Sequence, residues 1–190
     1  MIPIAFASAV AAVVASVPAG ALGPNARRLT DVRSGISVEA SSGWTLSQRV
    51  GYAGTIALFV HPDGSRISVT ATTTVAPDAD ALYKQNRPGL VAQGLIPSPS
   101  APGARGSVSV DLAVVGRTDR MRQLYLVRDI PGGRQAIVLT LVSNVKSFAA
   151  RAPALDFVAT RLTLEDPPPP SGANRAQGVG LTGTGGVSVR

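Results

Sequence analysis

Ala136-Ile137-Val138-Leu139-Thr140-Leu141-Val142 is the stretch on which the fold turns. Side chains alternate across a strand, so Ala136, Val138 and Val142 lie on one face and Ile137, Leu139 and Leu141 on the other. Apolar residues on both faces predict a central strand, Arg134 to Ser143, in a sheet covered on both sides. Upstream, Pro131-Gly132-Gly133 supplies a turn, and Met121 to Ile130 supplies the strand that pairs through it. Ser107 to Val115 is a further strand. Ile96 to Gly106 holds three prolines and two glycines and reads as a loop.

Further out, Arg66 to Thr74 alternates, with Ile67, Val69 and Ala71 inward and Ser68, Thr70 and Thr72 outward. Pro62-Asp63-Gly64-Ser65 is a hairpin turn into it from Thr55–His61, where Ile56, Leu58 and Val60 share a face. Gly43-Trp44 turns into Leu46–Val50, and Ile36 with Val38 makes a short first strand. Two segments break the alternation. Asp78 to Gly94 reads as a helix with Asp78 as N-cap and Pro88 kinking or ending it. In Asn144 to Arg161, Phe148, Leu155, Val158 and Leu162 recur at helical spacing. Pro153 there suits a first turn, so a short lead-in before the main helix is expected. Leu162-Thr163-Leu164 trails off the domain. The fold class is α+β: an antiparallel sheet of about six to seven strands with two main helices packed on it.

The 190 residues fit one domain plus tails. Residues 1–22 read as an Ala-rich secretory signal with Ala19-Gly20-Ala21 as its cleavage site, or else as an N-terminal anchor, since no positive residue precedes the apolar run. Residues 23–34 are a polar lead-in, 35–165 the folded unit, and 166–190 a Pro-rich and then Gly-rich tail too polar to offset its ordering entropy. The expected location is periplasmic or extracellular, with a membrane contact only if the first segment stays uncleaved.

Cysteine is absent, which excludes disulfides, zinc–thiolate sites, a thiol nucleophile and a cysteine-linked lipid. The net charge is +7, and only two of the 18 basic residues, Lys84 and Lys146, are lysine. The arginines are scattered, and aromatics make up 4% of the chain, which leaves little for base stacking. A specific nucleic-acid partner is therefore not expected.

The pattern resembles the PsbP-like superfamily of α/β/α sandwiches. The resemblance is carried by Gly35-Ile36-Ser37-Val38, Gly43-Trp44, Ala57-Leu58-Phe59, His61-Pro62 and Arg66-Ile67-Ser68-Val69. In the second half it is carried by Arg122-Gln123-Leu124-Tyr125, by 136–142, and by Phe148 with Phe157-Val158-Ala159-Thr160-Arg161-Leu162. It spans roughly Gly35 to Leu164. It implies an exported accessory or binding domain without catalysis, acting on a protein or envelope partner. The chain departs from the lipoprotein members in having no cysteine to acylate. No metal-ligand cluster is evident either, so neither metal nor cofactor is carried over.

His61 is the only histidine. At a hairpin end it reads as a solvated side chain, and catalysis would need the fold to bring it a Ser or Thr and an acid. Of the close carboxylate pairs, Asp78 with Asp80 suits a helix start and Glu165 with Asp166 ends the domain. No glycine cluster has a phosphate-loop context. Trp44 reads first as a core plug and second as a ligand-stacking residue. The densest basic stretch holds Arg117, Arg120 and Arg122; Arg122 and Arg128 share strand parity. These four residues are either a solvated strand edge or an anion-binding region for polysaccharide, lipid head groups or nucleic acid.

Overall fold

The computed structural model describes residues 27–47 and 54–168. The expected signal or anchor (1–22), residues 48–50 of the second expected strand, and the tail beyond Pro168 lie outside the described residues. In chain order the elements are β1 Arg28–Asp31, β2 Ile36–Glu39, β3 Thr45–Leu46, β4 Thr55–Val60, β5 Arg66–Thr74 and α1 Ala79–Ala92. There follow β6 Leu95–Pro97, β7 Ala101–Pro102, β8 Val108–Val114, β9 Asp119–Ile130, β10 Gly133–Asn144, α2 Val145–Arg161 and β11 Thr163–Leu164.

The main sheet is antiparallel throughout, with eight strands in the order β3-β4-β5-β10-β9-β8-β6 and β7 attached to β8. β10 is central, paired along its length with β5 and β9. Ile137, Leu139 and Leu141 are fully buried on one face among Phe59, Ile67, Val69 and Leu124, and α2 closes that core with Leu155, Val158 and Ala159. On the other face Ala136 joins Tyr125, Val110 and Leu112 beneath Leu82 and Tyr83 of α1. The sheet is thus covered on both sides, and the fold is α+β.

The helices begin where side-chain acceptors are available. Asp78 accepts from the Ala81 N–H at 2.8 Å, and Asn144 from the Lys146 N–H at 3.1 Å. Their prolines behave differently from the sequence expectation. α1 continues through Pro88 to Ala92, and α2 is a single helix with Pro153 in its middle. Both prolines are exposed, so each ring and each lost hydrogen bond fall on the solvent side. The buried residues Ala152 and Leu155 bracket Pro153 and hold α2 on the sheet.

Four further expectations need correction. The polar lead-in contains β1, which pairs with β2 as Leu29 packs on the core. Thr163–Leu164 does not trail off but pairs with the other edge of β2, so β1-β2-β11 is a small second sheet and β2 is not in the main one. The Ile96–Gly106 loop contains β6, β7 and a 3-10 turn at Ala104–Gly106. In β4 the buried face carries Ala57 and Phe59, both 0% exposed, while Leu58 and Val60 are half-buried. A register shift between Thr55 and Ala57 moves the parity there, and Phe59 brings more apolar surface to the core than either aliphatic neighbour.

Candidate functional site

An open cleft to which sequence-selected residues contribute lies at the end of the β4–β5 hairpin where it meets α2. Its volume is about 310 Å³. Its polar lining is Ser41, Ser42, His61 and Arg151; its apolar lining is Trp44, Ala150, Pro153, Ala154 and Phe157. A volume near 300 Å³ is at the small end of ligand sites.

Trp44 sits at the end of the Ser41–Gly43 turn. It is 2% exposed and belongs to the core cluster, yet its edge forms part of the cleft wall. The ring packs tilted against His61, with centroids 5.3 Å apart. Gly43, at φ +85°, allows this turn, and a Cβ there would come within 3.5 Å of His61 Nε2. A glycine at 43 therefore leaves that edge of the imidazole uncovered.

His61 is not the solvated turn side chain expected from sequence. Its side chain is 16% exposed, and Nδ1 lies 2.9 Å from Asp63 Oδ1. The Asp63 N–H also reaches Nδ1, at 3.3 Å. With Nδ1 protonated the ring donates to the carboxylate; with Nε2 protonated, Nδ1 accepts from the backbone. Asp63 is the hub of the cluster. It accepts from the Ser65 N–H at 2.9 Å and, through Oδ2, from Arg151 Nε at 2.8 Å. The Ser65 backbone N–H above all holds the Asp63 carboxyl well below the usual carboxylate range; burial opposes this, and Arg151, the Ser65 side chain and His61 add to it. Ser65 Oγ in turn pairs with Ser143 Oγ at 2.8 Å in the interior. The chain Arg151–Asp63–Ser65–Ser143 ties α2, the hairpin turn and the end of β10 together.

Because the folded-state pKa of Asp63 is below its unfolded value of about 3.9, its stabilisation is present above that value and is lost as pH falls below it. Asp63→Asn is therefore expected to cost about 1 kcal/mol at neutral pH, discounted for partial exposure. The gap from wild type should close below about pH 4. Urea melts across that range check this; a gap constant with pH would remove Asp63 as the hub.

The four sequence-selected arginines do not form one patch. Arg117 lies in the β8–β9 turn and Arg120 at the start of β9, and both are exposed. Arg122 and Arg128 do share the α2-side face of β9, flanking the buried Leu124 and Leu126. Arg122 makes a two-point ion pair with Asp111, at 2.6 and 3.0 Å, and lies 5.6 Å over the Phe148 ring. Arg128 donates to Gln135 at 2.7 Å and to the Ser34 carbonyl at 2.9 Å, fastening the β1–β2 turn to the main sheet. Burial is the main cause that lowers its guanidinium below the ordinary value.

Among the described residues, no group of three His, Asp or Glu side chains could hold a metal ion. Among the same residues, no helix is long and apolar enough to cross a membrane. The sequence reading missed His61, Asp63 and Arg151 as a unit. Its one local signal is the spacing His61-Pro62-Asp63, which returns a carboxylate to the imidazole across a turn; Arg151 is 88 residues away from Asp63.

No protein-family profile matches the sequence, and a search of curated proteins finds no match. Solved structures do match. The solution structure of the cyanobacterial PsbP (CyanoP) from Synechocystis sp. PCC 6803 aligns with TM-score 0.50 and 17% identity, covering 77% of this chain and 96% of that one. The crystal structure of LpqN, a Mycobacterium tuberculosis protein involved in cell envelope biogenesis, aligns with TM-score 0.53 and 16% identity, covering 68% and 82%. The chain shares the PsbP-like fold of these structures.

Proposed function

Taking the PsbP-like fold as the frame, we propose that this chain is an exported, non-catalytic accessory domain that works by binding an envelope component at the cleft over Trp44. The arrangement of His61 carries the reading. Its Nδ1 meets Asp63, as in a catalytic pair, yet among the described residues no serine or threonine hydroxyl makes a hydrogen bond to its ring. A general base needs its nucleophile within hydrogen-bond reach. What the cluster does instead is hold a donor-lined, apolar-walled recess rigid. The likeness to LpqN in fold supports an envelope setting by analogy alone.

A second reading is an anion-binding module using the Arg117–Arg128 region. It rests on Arg117 and Arg120, which remain exposed while Arg122 and Arg128 are held by internal partners.

Export is tested with a fusion of the full chain to a reporter active only outside the cytoplasm, which is expected to be active. Binding is tested by co-sedimentation with washed envelope from the producing cell. Saturable binding that Ala150→Trp abolishes, by filling the cleft from an exposed helix position, is the expected result. Binding that ignores Ala150→Trp but falls steeply with salt and is lost in the Arg117→Ser/Arg120→Ser double variant selects the second reading. No saturable binding overturns both.

A further inference from the structure

The cleft's lining is chemically one-sided. Arg151, Ser41, Ser42 and His61 bring donors, and among the described residues no carboxylate lines it. The one acid of the cluster, Asp63, is not among the lining residues and holds Arg151 through Nε and His61 through Nδ1. A guanidinium has five N–H donors in a fork, so the Nη edge is left for a second partner while Asp63 holds the group in place. A side chain at position 43 would rest on the His61 Nε2 edge, and Gly43 places none there. Beside these donors the lining is apolar, with Trp44, Pro153 and Phe157. A further cation stands close, since Arg161 stacks on the Phe157 ring at 5.5 Å.

We infer that the cleft is a site for a small amphipathic carboxylate, its anionic end on Arg151 and the serine hydroxyls and its apolar body on Trp44 and Phe157. This rests on the binding reading above and names its ligand class. The donors left over once Asp63 holds Arg151 through Nε select a ligand with acceptor oxygens, and the volume of about 310 Å³ selects a small one. At ~30 Å³ per water-sized group, it admits roughly ten non-hydrogen atoms. A two-oxygen acceptor matches the Nη edge of a guanidinium, and the apolar walls reward a hydrocarbon or aromatic body.

Trp44 is the only tryptophan in the chain, so its fluorescence reports this wall alone. The probes are 3-phenylpropanoate, the neutral 3-phenylpropanamide and inorganic phosphate. Wild type should show a saturable Trp44 change with the acid, at least ~10-fold weaker with the amide, and none with phosphate. Arg151→Gln should remove the acid-over-amide preference. Ser42→Asp changes an exposed turn residue, and so spares folding, yet puts a negative charge in the lining; it should abolish acid binding. Equal affinity for acid and amide, acid binding unaffected by Ser42→Asp, or saturation by phosphate alone overturns the inference. Envelope co-sedimentation that still depends on Ala150 would then leave the binding reading standing without this ligand class; loss of both removes both.

Discussion

Leu155→Ala is expected to destabilise the fold by about 2–5 kcal/mol. Leu155 is 0% exposed and sits mid-α2, facing the β10 core strand. Removing its isobutyl group forfeits the transfer energy of the lost carbons and leaves a void between Val158 and the β10 residues Ile137 and Leu139, whose positions are fixed by the ladders on both sides of β10. Pro153 already removes one internal hydrogen bond near the middle of α2, so the packing of Leu155 beside it matters the more. Arg151, Ala154 and Phe157 ride on the same helix, so the cleft should lose definition together with stability. Urea unfolding followed by Trp44 fluorescence gives the midpoint shift. A loss under ~1 kcal/mol would mean the helix can settle into the gap, and the packing described for α2 would be wrong.

Gly35→Ala should cost about 2–4 kcal/mol, for two separable reasons. Gly35 has φ +65°, and a Cβ on it would lie 2.0 Å from the Glu165 carbonyl oxygen and 3.1 Å from Pro167 N. The Gly35 carbonyl accepts from the Glu165 N–H at 2.8 Å, so the clash falls on the bond that seats β11. Gly94→Ala is the control: its φ is +76°, but nothing lies within 4 Å of the added carbon. It should cost only the left-handed backbone strain, ~1 kcal/mol. Hydrogen exchange should locate the difference, with the Ile36 and Ser37 region opening in Gly35→Ala alone. Equal losses in the two variants would show that the backbone conformation matters and the contact with Glu165 does not.

What could be read in advance follows from where each interaction's partners lie. The run from Ala136 to Val142 announces a central strand because apolar side chains for both faces are written into consecutive residues. Asp78 announces a helix start because its acceptor serves a donor three residues on. β1 could not be read this way. Arg28-Leu29-Thr30-Asp31 has one apolar side chain, and it becomes a strand because β2 offers a free edge. Ala57-Leu58-Phe59 is apolar at both parities, so only the register shift beside it decides which face turns inward. At the candidate site, Trp44 stood out as a lone large aromatic after a turn glycine. The Asp63–Arg151 pair had no local signal. Arg122 and Arg128 looked free in sequence because Asp111 and the Ser34 carbonyl reach them only through the fold.

The small sheet has a mechanical consequence. β1 and β11 flank β2 and run parallel to each other, since each is antiparallel to it. Tension applied between the segment before Arg28 and the segment after Leu164 would therefore load the hydrogen bonds along the strand axis, so that they resist together as a lap joint and do not peel one at a time. Held by both ends, the domain would meet force first at these three short strands, with the eight-stranded layer and the Trp44 recess behind them.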